Sequence, residues 1–281
     1  MGAWFARFFK SRGDSVIVSD RDSNRAKRLA VKVHAKCSSS NSDAARGSDM
    51  ILLAIPTNAT SEVIKEILPV LRKNALICDI SATKSVVMPA LRSAEKRGVK
   101  VVSIHPMFGP LARGIRGRRI IAIRTGKDTR GYKNMKRLLQ GAHFFLAGQD
   151  VHDKRVALTL GLPHFLNMAC AMTLSKRRDL AEIRRFAGRT FNLQMLLAEV
   201  IADEPETIAD IQILNKEFLR VMRDLQRDIR SLARIVNQRD RAKLVARYKK
   251  IRRALSTEPQ FKVARATFEK VTEAQSAISK V

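Results

Sequence analysis

Apolar positions recur in two rhythms along this chain, a mixed one up to about residue 147 and a purely helical one after it. Trp4, Phe5, Phe8 and Phe9 fall at i, i+1, i+4 and i+5, the stripe of an amphipathic helix over residues 1–10 that Gly13 ends. Residues 15–20 read as a strand and 24–31 as a polar helix. Residues 49–56 are a continuous apolar run stopped by Pro56, as expected of a strand buried on both faces. Val63, Ile64, Ile67, Leu68 and Leu71 form another helical stripe. Further strands are predicted at 75–80, 99–104 and 119–123, with a short last one at 143–146. Strands alternating with helices in this way predict an α/β unit built on a doubly wound sheet over residues 1–147.

From residue 148 the 3.6-residue period persists to the end, which predicts an all-helical unit over 148–281. Its helices are expected at 151–176, bent or broken near Pro163, and at 190–203, 206–237, 239–255 and 261–279. No apolar run is expected to reach the roughly 20 residues of a membrane span. Arg7 and Lys10 interrupt the early apolar stretch, so it does not read as a signal peptide. Cys37, Cys78 and Cys170 are far apart and form no CxxC pair, which suits a reducing, cytoplasmic setting without a disulfide frame or zinc site.

Charge adds a second constraint. The net charge of +28 favours anionic partners. Yet the basic residues are spread along the chain, are heaviest on the later helices and have few aromatics beside them to stack on bases. That pattern reads as a solvated surface, and nucleic acid is not the expected partner.

The chemistry-bearing stretch is Ser103-Ile104-His105-Pro106-Met107-Phe108-Gly109-Pro110, which follows the largely apolar run 99–102. Pro106 removes a backbone donor, and Gly109 and Pro110 turn the chain, leaving His105 at the carboxyl end of a strand. Open α/β sheets bind their ligands there. Asp20 closes an earlier strand, where a carboxylate can bind ribose hydroxyls, and this favours NAD over NADP. Arg21 beside it leaves NADP open. Gly2 fits the last glycine of a GxGxxG turn, the one that lets helix and strand approach closely. The strand and earlier glycines expected before it are absent from the sequence, which begins Met1-Gly2. No metal is expected: His152 and His164 would lie about 18 Å apart on a continuous helix and could not share an ion. Asp150 and Asp153 read as start-of-helix acids favourable to the dipole.

Several of these pieces occur in a familiar order. Residues 1–9 (Met-Gly-Ala-Trp-Phe-Ala-Arg-Phe-Phe), Asp79-Ile80-Ser81-Ala82-Thr83-Lys84, the stretch from Ser103 to Pro110 and Gly161-Leu162-Pro163-His164-Phe165 come in that sequence. Phe191-Asn192-Leu193-Gln194 and Ile208-Ala209-Asp210-Ile211-Gln212 follow. The chain thus resembles the prephenate dehydrogenase family, especially its archaeal branch, over roughly residues 1–217. The resemblance implies a Rossmann-type domain followed by a helical dimerisation domain. It also implies oxidative decarboxylation of prephenate to 4-hydroxyphenylpyruvate in tyrosine biosynthesis, with NAD or NADP taking the hydride. His105 would be the base at the ring hydroxyl. Ser81, Lys84, His164 and Asn192 would face the substrate, and Gly2, Asp20, Arg21, Ile55, Pro56 and Met107 the dinucleotide. Two departures stand out: Ala82 occupies a position where the family usually carries a serine that orients the histidine, and Asn192 one where many members carry an arginine. Arg189 or Arg185 could compensate for the latter. Arogenate or another small acid is the alternative substrate. A catalytically silent protein binding nucleotide or nucleic acid through its basic surface is the alternative of a different class.

Overall fold

In the computed structural model, which describes residues 1–126 and 129–278, the first 161 residues alternate strand and helix as their pattern dictates. The elements are α1 (Gly2–Ser11), β1 (Ile17–Val18), α2 (Ser23–Val33), β2 (Lys36–Cys37), α3 (Asn41–Ala45), β3 (Met50–Leu53) and α4 (Thr60–Ile67). They continue with β4 (Leu76–Asp79), α5 (Lys84–Lys96), β5 (Lys100–Pro106), β6 (Arg119–Ile123), α6 (Arg130–Leu138), β7 (His143–Ala147) and α7 (Gln149–Val156). The short β2 and α3 carry too few apolar residues to announce themselves, and sequence reasoning missed them.

Strands β3 to β7 form one sheet in sequential order, and β1 pairs only with β2 in a separate parallel ribbon. No ladder among the described residues joins β1 to β3. β3, β4 and β5 run parallel with Leu53, Asp79 and Ser103 in register. Their carboxyl ends, and the loops that follow, therefore lie along one edge. β6 is antiparallel to β5, pairing His105 with Ile121 and Pro106 with Ile120, so the doubly wound sheet is mixed.

Period-two alternation sorts the buried side chains between two cores. Leu76, Cys78, Val102 and Ile104 pack with Trp4, Phe5 and Phe9 of α1 and Met135 of α6. Ile77 and Val101 pack on the opposite face with Ile64 and Ile67 of α4 and Val87, Met88 and Leu91 of α5. The same parity assigns Asp79, Ser103 and His105 to the α5 face.

The remaining helices are α8 (Leu162–Ser175), α9 (Leu180–Arg185), α10 (Arg189–Ala202), α11 (Pro205–Ile213), α12 (Phe218–Asn237), α13 (Arg241–Leu255) and α14 (Pro259–Ile278). The expected end of the last helix, Ser279, lies outside the described residues. The predicted helix over 206–237 is two helices, separated by residues 214–217. There Asn215 turns its side chain back on the chain, its Oδ1 accepting the Glu217 N–H at 3.1 Å. A π-helical turn, Ala157–Gly161, joins α7 to α8 immediately before Pro163. Proline lacks the N–H and crowds the carbonyl four residues back, which is the local cause of the irregularity.

Two compact units result: Met1–Gly161 with Glu206–Glu217, and Leu162–Pro205 with Phe218–Val281. By compactness the chain divides at 161/162, because α7 buries His152, Asp153 and Val156 within the first unit. In the second unit, Phe165 meets Phe218 at 5.8 Å, and α10 buries Met195, Ala198 and Ile201. The helical stretch Gln149–Ser175 is 27 residues and, by length and composition, apolar enough to cross a membrane. This corrects the expectation that no run reaches such a length. Its first turns, however, carry His152 and Asp153, both buried and hydrogen-bonded inside the first unit.

Candidate active site

Strand parity and a helix N-terminus together build a buried polar cluster at the carboxyl edge of β4 and β5. Asp79, at the end of β4, is 1% exposed and accepts three bonds at Oδ2: from Lys84 Nζ (2.9 Å), Ser103 Oγ (2.7 Å) and Ser81 Oγ (3.0 Å). Its Oδ1 accepts the Ser81 N–H at 3.0 Å. Lys84 opens α5 and is completely buried; its ammonium donates to Asp79 and, at 2.7 Å, to the Ile104 carbonyl. Lys84 thus ties β4 to the residue before His105. Parity puts Asp79 beneath the first turn of α5, so two of the ammonium's three donors go to Asp79 and the Ile104 carbonyl.

His105 is 7% exposed. Its Nδ1 lies 2.9 Å from His152 Nε2, and His152 Nδ1 lies 2.8 Å from Asp153 Oδ1. Asp153 does not act on its own helix. Its carboxylate accepts the backbone N–H groups of Lys84 (Oδ1, 3.0 Å) and Ser85 (Oδ2, 2.8 Å), occupying the N-terminus of α5, where orphan donors and the helix dipole favour an anion. Asp150 alone keeps the expected place in the first turn of α7. Asn215 Nδ2 donates to the Asp153 carbonyl at 2.8 Å. Asp210 of α11 accepts the Thr57 N–H at 3.1 Å, so this segment closes over the loop after β3.

Electrostatics follow the geometry. Burial, then the nearby Lys84 charge and His152, hold His105 well below the ordinary imidazole range. Burial also lowers His152, against the opposing pull of Asp153. For Asp153, burial would raise the carboxyl, but the bonds from His152 and from the Lys84 and Ser85 amides outweigh it and the carboxyl is lowered. Both imidazoles are therefore neutral and the carboxylate ionised near neutral pH.

Other anticipated residues are partly assembled here. Ile55, Pro56, Ser81 and Met107 follow the carboxyl ends of β3, β4 and β5, along the same edge as His105. Gly2 does what its position predicts: a Cβ there would meet the Ala54 Cβ at 3.2 Å, so α1 starts hard against the end of β3. Among the described residues no side-chain hydrogen bond caps the N-terminus of α1. Asp20 follows β1, with Oδ1 accepting the Asp22 N–H at 2.9 Å, while Arg21 is exposed. His164 and Asn192 belong to the second unit. His164 is half-buried with Nδ1 unpartnered among the described residues, and Asn192 is exposed on α10. Arg189 is ion-paired with Glu269, and Arg185 is exposed. Sequence reasoning missed His152, Asp153 and Asp79. Its one available signal was a His-Asp pair opening an apolar helix.

Residues 5–120 match the family model described as prephenate dehydrogenase, nucleotide-binding domain, and residues 149–250 match prephenate dehydrogenase, dimerization domain. The chain is 30% identical over 247 residues to a probable arogenate/prephenate dehydrogenase of Methanocaldococcus jannaschii, covering 86% of this chain and 55% of that one. It is 23% identical over 256 residues to the T-protein of Haemophilus influenzae, covering 90% and 63%. It therefore spans little more than half to under two thirds of the length of these relatives. Among solved structures, the prephenate dehydrogenase of A. aeolicus in complex with hydroxyphenyl propionate and NAD+ superposes with a TM-score of 0.73 at 19% identity, covering 92% of this chain and 95% of that one. The order of motifs, the sheet that carries His105 and both matched domains agree: this chain belongs to the prephenate dehydrogenase family.

Proposed function

We propose that this protein is a dehydrogenase oxidising and decarboxylating prephenate, or its amino-acid counterpart arogenate, with His105 as the base. The observation that carries the reading is a neutral, buried imidazole at the carboxyl edge of a dinucleotide-type sheet, with its Nε2 free of any partner among the described residues.

The residue chemistry suits the reaction. A base at the ring hydroxyl takes its proton as hydride leaves the same carbon, and loss of carbon dioxide then aromatises the ring. The proton returns to the phenolic oxygen, so no net proton is consumed and His105 ends as it began. Prephenate carries two carboxylates, and the chain's basic surface favours its approach. Within the first unit, Ser81 and Lys84 are the candidates to hold it.

A nicotinamide dinucleotide, when bound, supplies the hydride acceptor. The uncapped start of α1, brought against β3 by Gly2, suits a pyrophosphate, and Asp20 suits ribose hydroxyls. Ile55, Pro56 and Met107 would flank it, and Arg21 would favour a 2′-phosphate where Asp20 disfavours one. The relatives' printed names favour the same chemistry, including both acids.

A homodimer through the helical unit accompanies this reading. It is supported by the exposed Leu219, Ile229, Leu232 and Val236 of α12 and Tyr248, Ile251 and Leu255 of α13. The biosynthetic reaction suits a cytoplasmic enzyme.

The test is dinucleotide reduction measured at 340 nm with prephenate and arogenate, each with NAD and NADP. His105→Asn should lower kcat by about 10²–10⁴-fold, the range of a general base, with dinucleotide affinity unchanged. Wild-type turnover preserved in that variant would remove His105 from the chemistry. A wild-type protein inert toward both acids would overturn the reading.

A further inference from the structure

We propose that His152, anchored by Asp153, is the positioning residue that holds His105 with its proton on Nδ1, leaving Nε2 as the basic atom. This rests on the dehydrogenase reading for its catalytic consequence, though not for its geometry.

The hydrogens are ordered from the inner end outward. Asp153 faces donors: two backbone N–H groups at the start of α5, the Ser85 side chain and the imidazole of His152. These donors hold the Asp153 carboxyl below its ordinary range and so ionised near neutral pH, and His152 Nδ1 must carry the hydrogen that meets it. A neutral His152 then presents a bare Nε2, and only a hydrogen on His105 Nδ1 can satisfy the 2.9 Å contact. His105 Nε2 is left with its lone pair. Each tautomer follows from the one before, and the chain ends on a helix N-terminus that cannot reverse its polarity.

The order would fail if His152 were doubly protonated, since its Nε2 would then donate to His105 Nδ1 and force the hydrogen onto His105 Nε2. The charged groups around the pair are Lys84 on α5, Asp79 on β4 and Asp153 on α7. Burial and the Lys84 ammonium keep His152 neutral despite the carboxylates. Those same carboxylates offset the charge that His105 acquires when it takes a proton.

Ala82 offers no hydroxyl, and the hydroxyl of Ser81 is bonded to Asp79 rather than to His105. His152 is the side chain that meets His105 Nδ1.

The test pairs a spectroscopic readout with a kinetic one. In the protein labelled with ¹⁵N-histidine, with His105 assigned by the signals lost in His105→Asn, wild type should show Nδ1 protonated and Nε2 bare. His152→Leu should populate the Nε2–H form and lower kcat by about 10²-fold or more, as wrong-tautomer variants of catalytic histidines do, with KM for the dinucleotide unchanged. His152→Gln, whose amide oxygen can accept from Nδ1–H, should restore the tautomer and part of the turnover. An Nε2–H His105 in wild type overturns the proposal. So does a His152→Leu variant with wild-type melting temperature and turnover. Should His152→Leu fail to fold, the wild-type tautomer and His152→Gln decide. Absence of turnover in wild type would refute the dehydrogenase reading alone, because the tautomer is measured without substrate.

Discussion

The ion pair between Lys84 and Asp79 and the His105–His152–Asp153 chain put four ionisable side chains and a lysine into space that water barely reaches. Such groups stand only because every one is bonded: breaking a buried pair typically costs about 3–5 kcal/mol, since it strands a charge. Their protonation also links stability to pH. His105 and His152 have folded pKa values below the unfolded value, so the unfolded chain binds protons first as pH falls. Stability is complete above about pH 6.5 and is lost as pH drops below it, by about 1.4 kcal/mol per pH unit for each histidine. Melting temperature measured from pH 8 to pH 5 should be flat and then fall. In His105→Asn the slope below pH 6.5 should be shallower by one proton, and an unchanged slope would show that His105 is not neutral in the folded state.

At the scale of elements, the site depends on two close approaches. Gly2 lets α1 meet the end of β3, and Gly131 lets α6 lie on β5. A Cβ at Gly131 would sit 2.2 Å from the Val101 carbonyl oxygen, a backbone atom that cannot move without disturbing the strand that carries His105. Gly131→Ala should therefore destabilise by about 1–3 kcal/mol or more, as overpacking does, despite the better helix propensity of alanine. Urea unfolding monitored by circular dichroism would measure it, and a neutral or stabilising result would mean that α6 is free to shift. Elements also show how legibility depends on length. Helices with a long apolar stripe, such as α1 and α4, and strands with continuous apolar runs, such as β3 and β5, were readable because burial dictates their period. Two-residue β1 and β2 and five-residue α3 hold too few side chains to carry a period. The break between α11 and α12 was unreadable for another reason: residues 214–217 contain no Gly or Pro, and the turn is set by Asn215 bonding across to Asp153.

For the whole molecule, the surplus of positive charge and the exposed apolar side chains of α12 and α13 act at the surface rather than in the fold. Light scattering should give twice the chain mass for the homodimer, and Ile229→Asp with Leu232→Asp should return the monomer with its melting transition retained. A monomeric wild type would remove the dimer from the proposed function.

The sequence by itself determined the alternation of strands and helices, the location of His105 at a strand end, the tight packing role of Gly2 and the family. These are properties of local period, turn chemistry and motif order, and they survive without knowing what packs on what. Only the tertiary structure decided the roles of His152, Asp153 and Lys84. A His-Asp pair inside a helix looks like any other polar pair until α7 is laid against the N-terminus of α5, where unsatisfied amide donors turn Asp153 into an anchor. Lys84 looked like an open cation until strand parity placed Asp79 beneath it. For Asp153 and His152 the deciding partner is distant in sequence, 69 residues for the Lys84 amide and Asp153 and 47 for His105 and His152. No local pattern encodes such pairings, because hydrogen bonds between distant elements are fixed only once the core has brought them together.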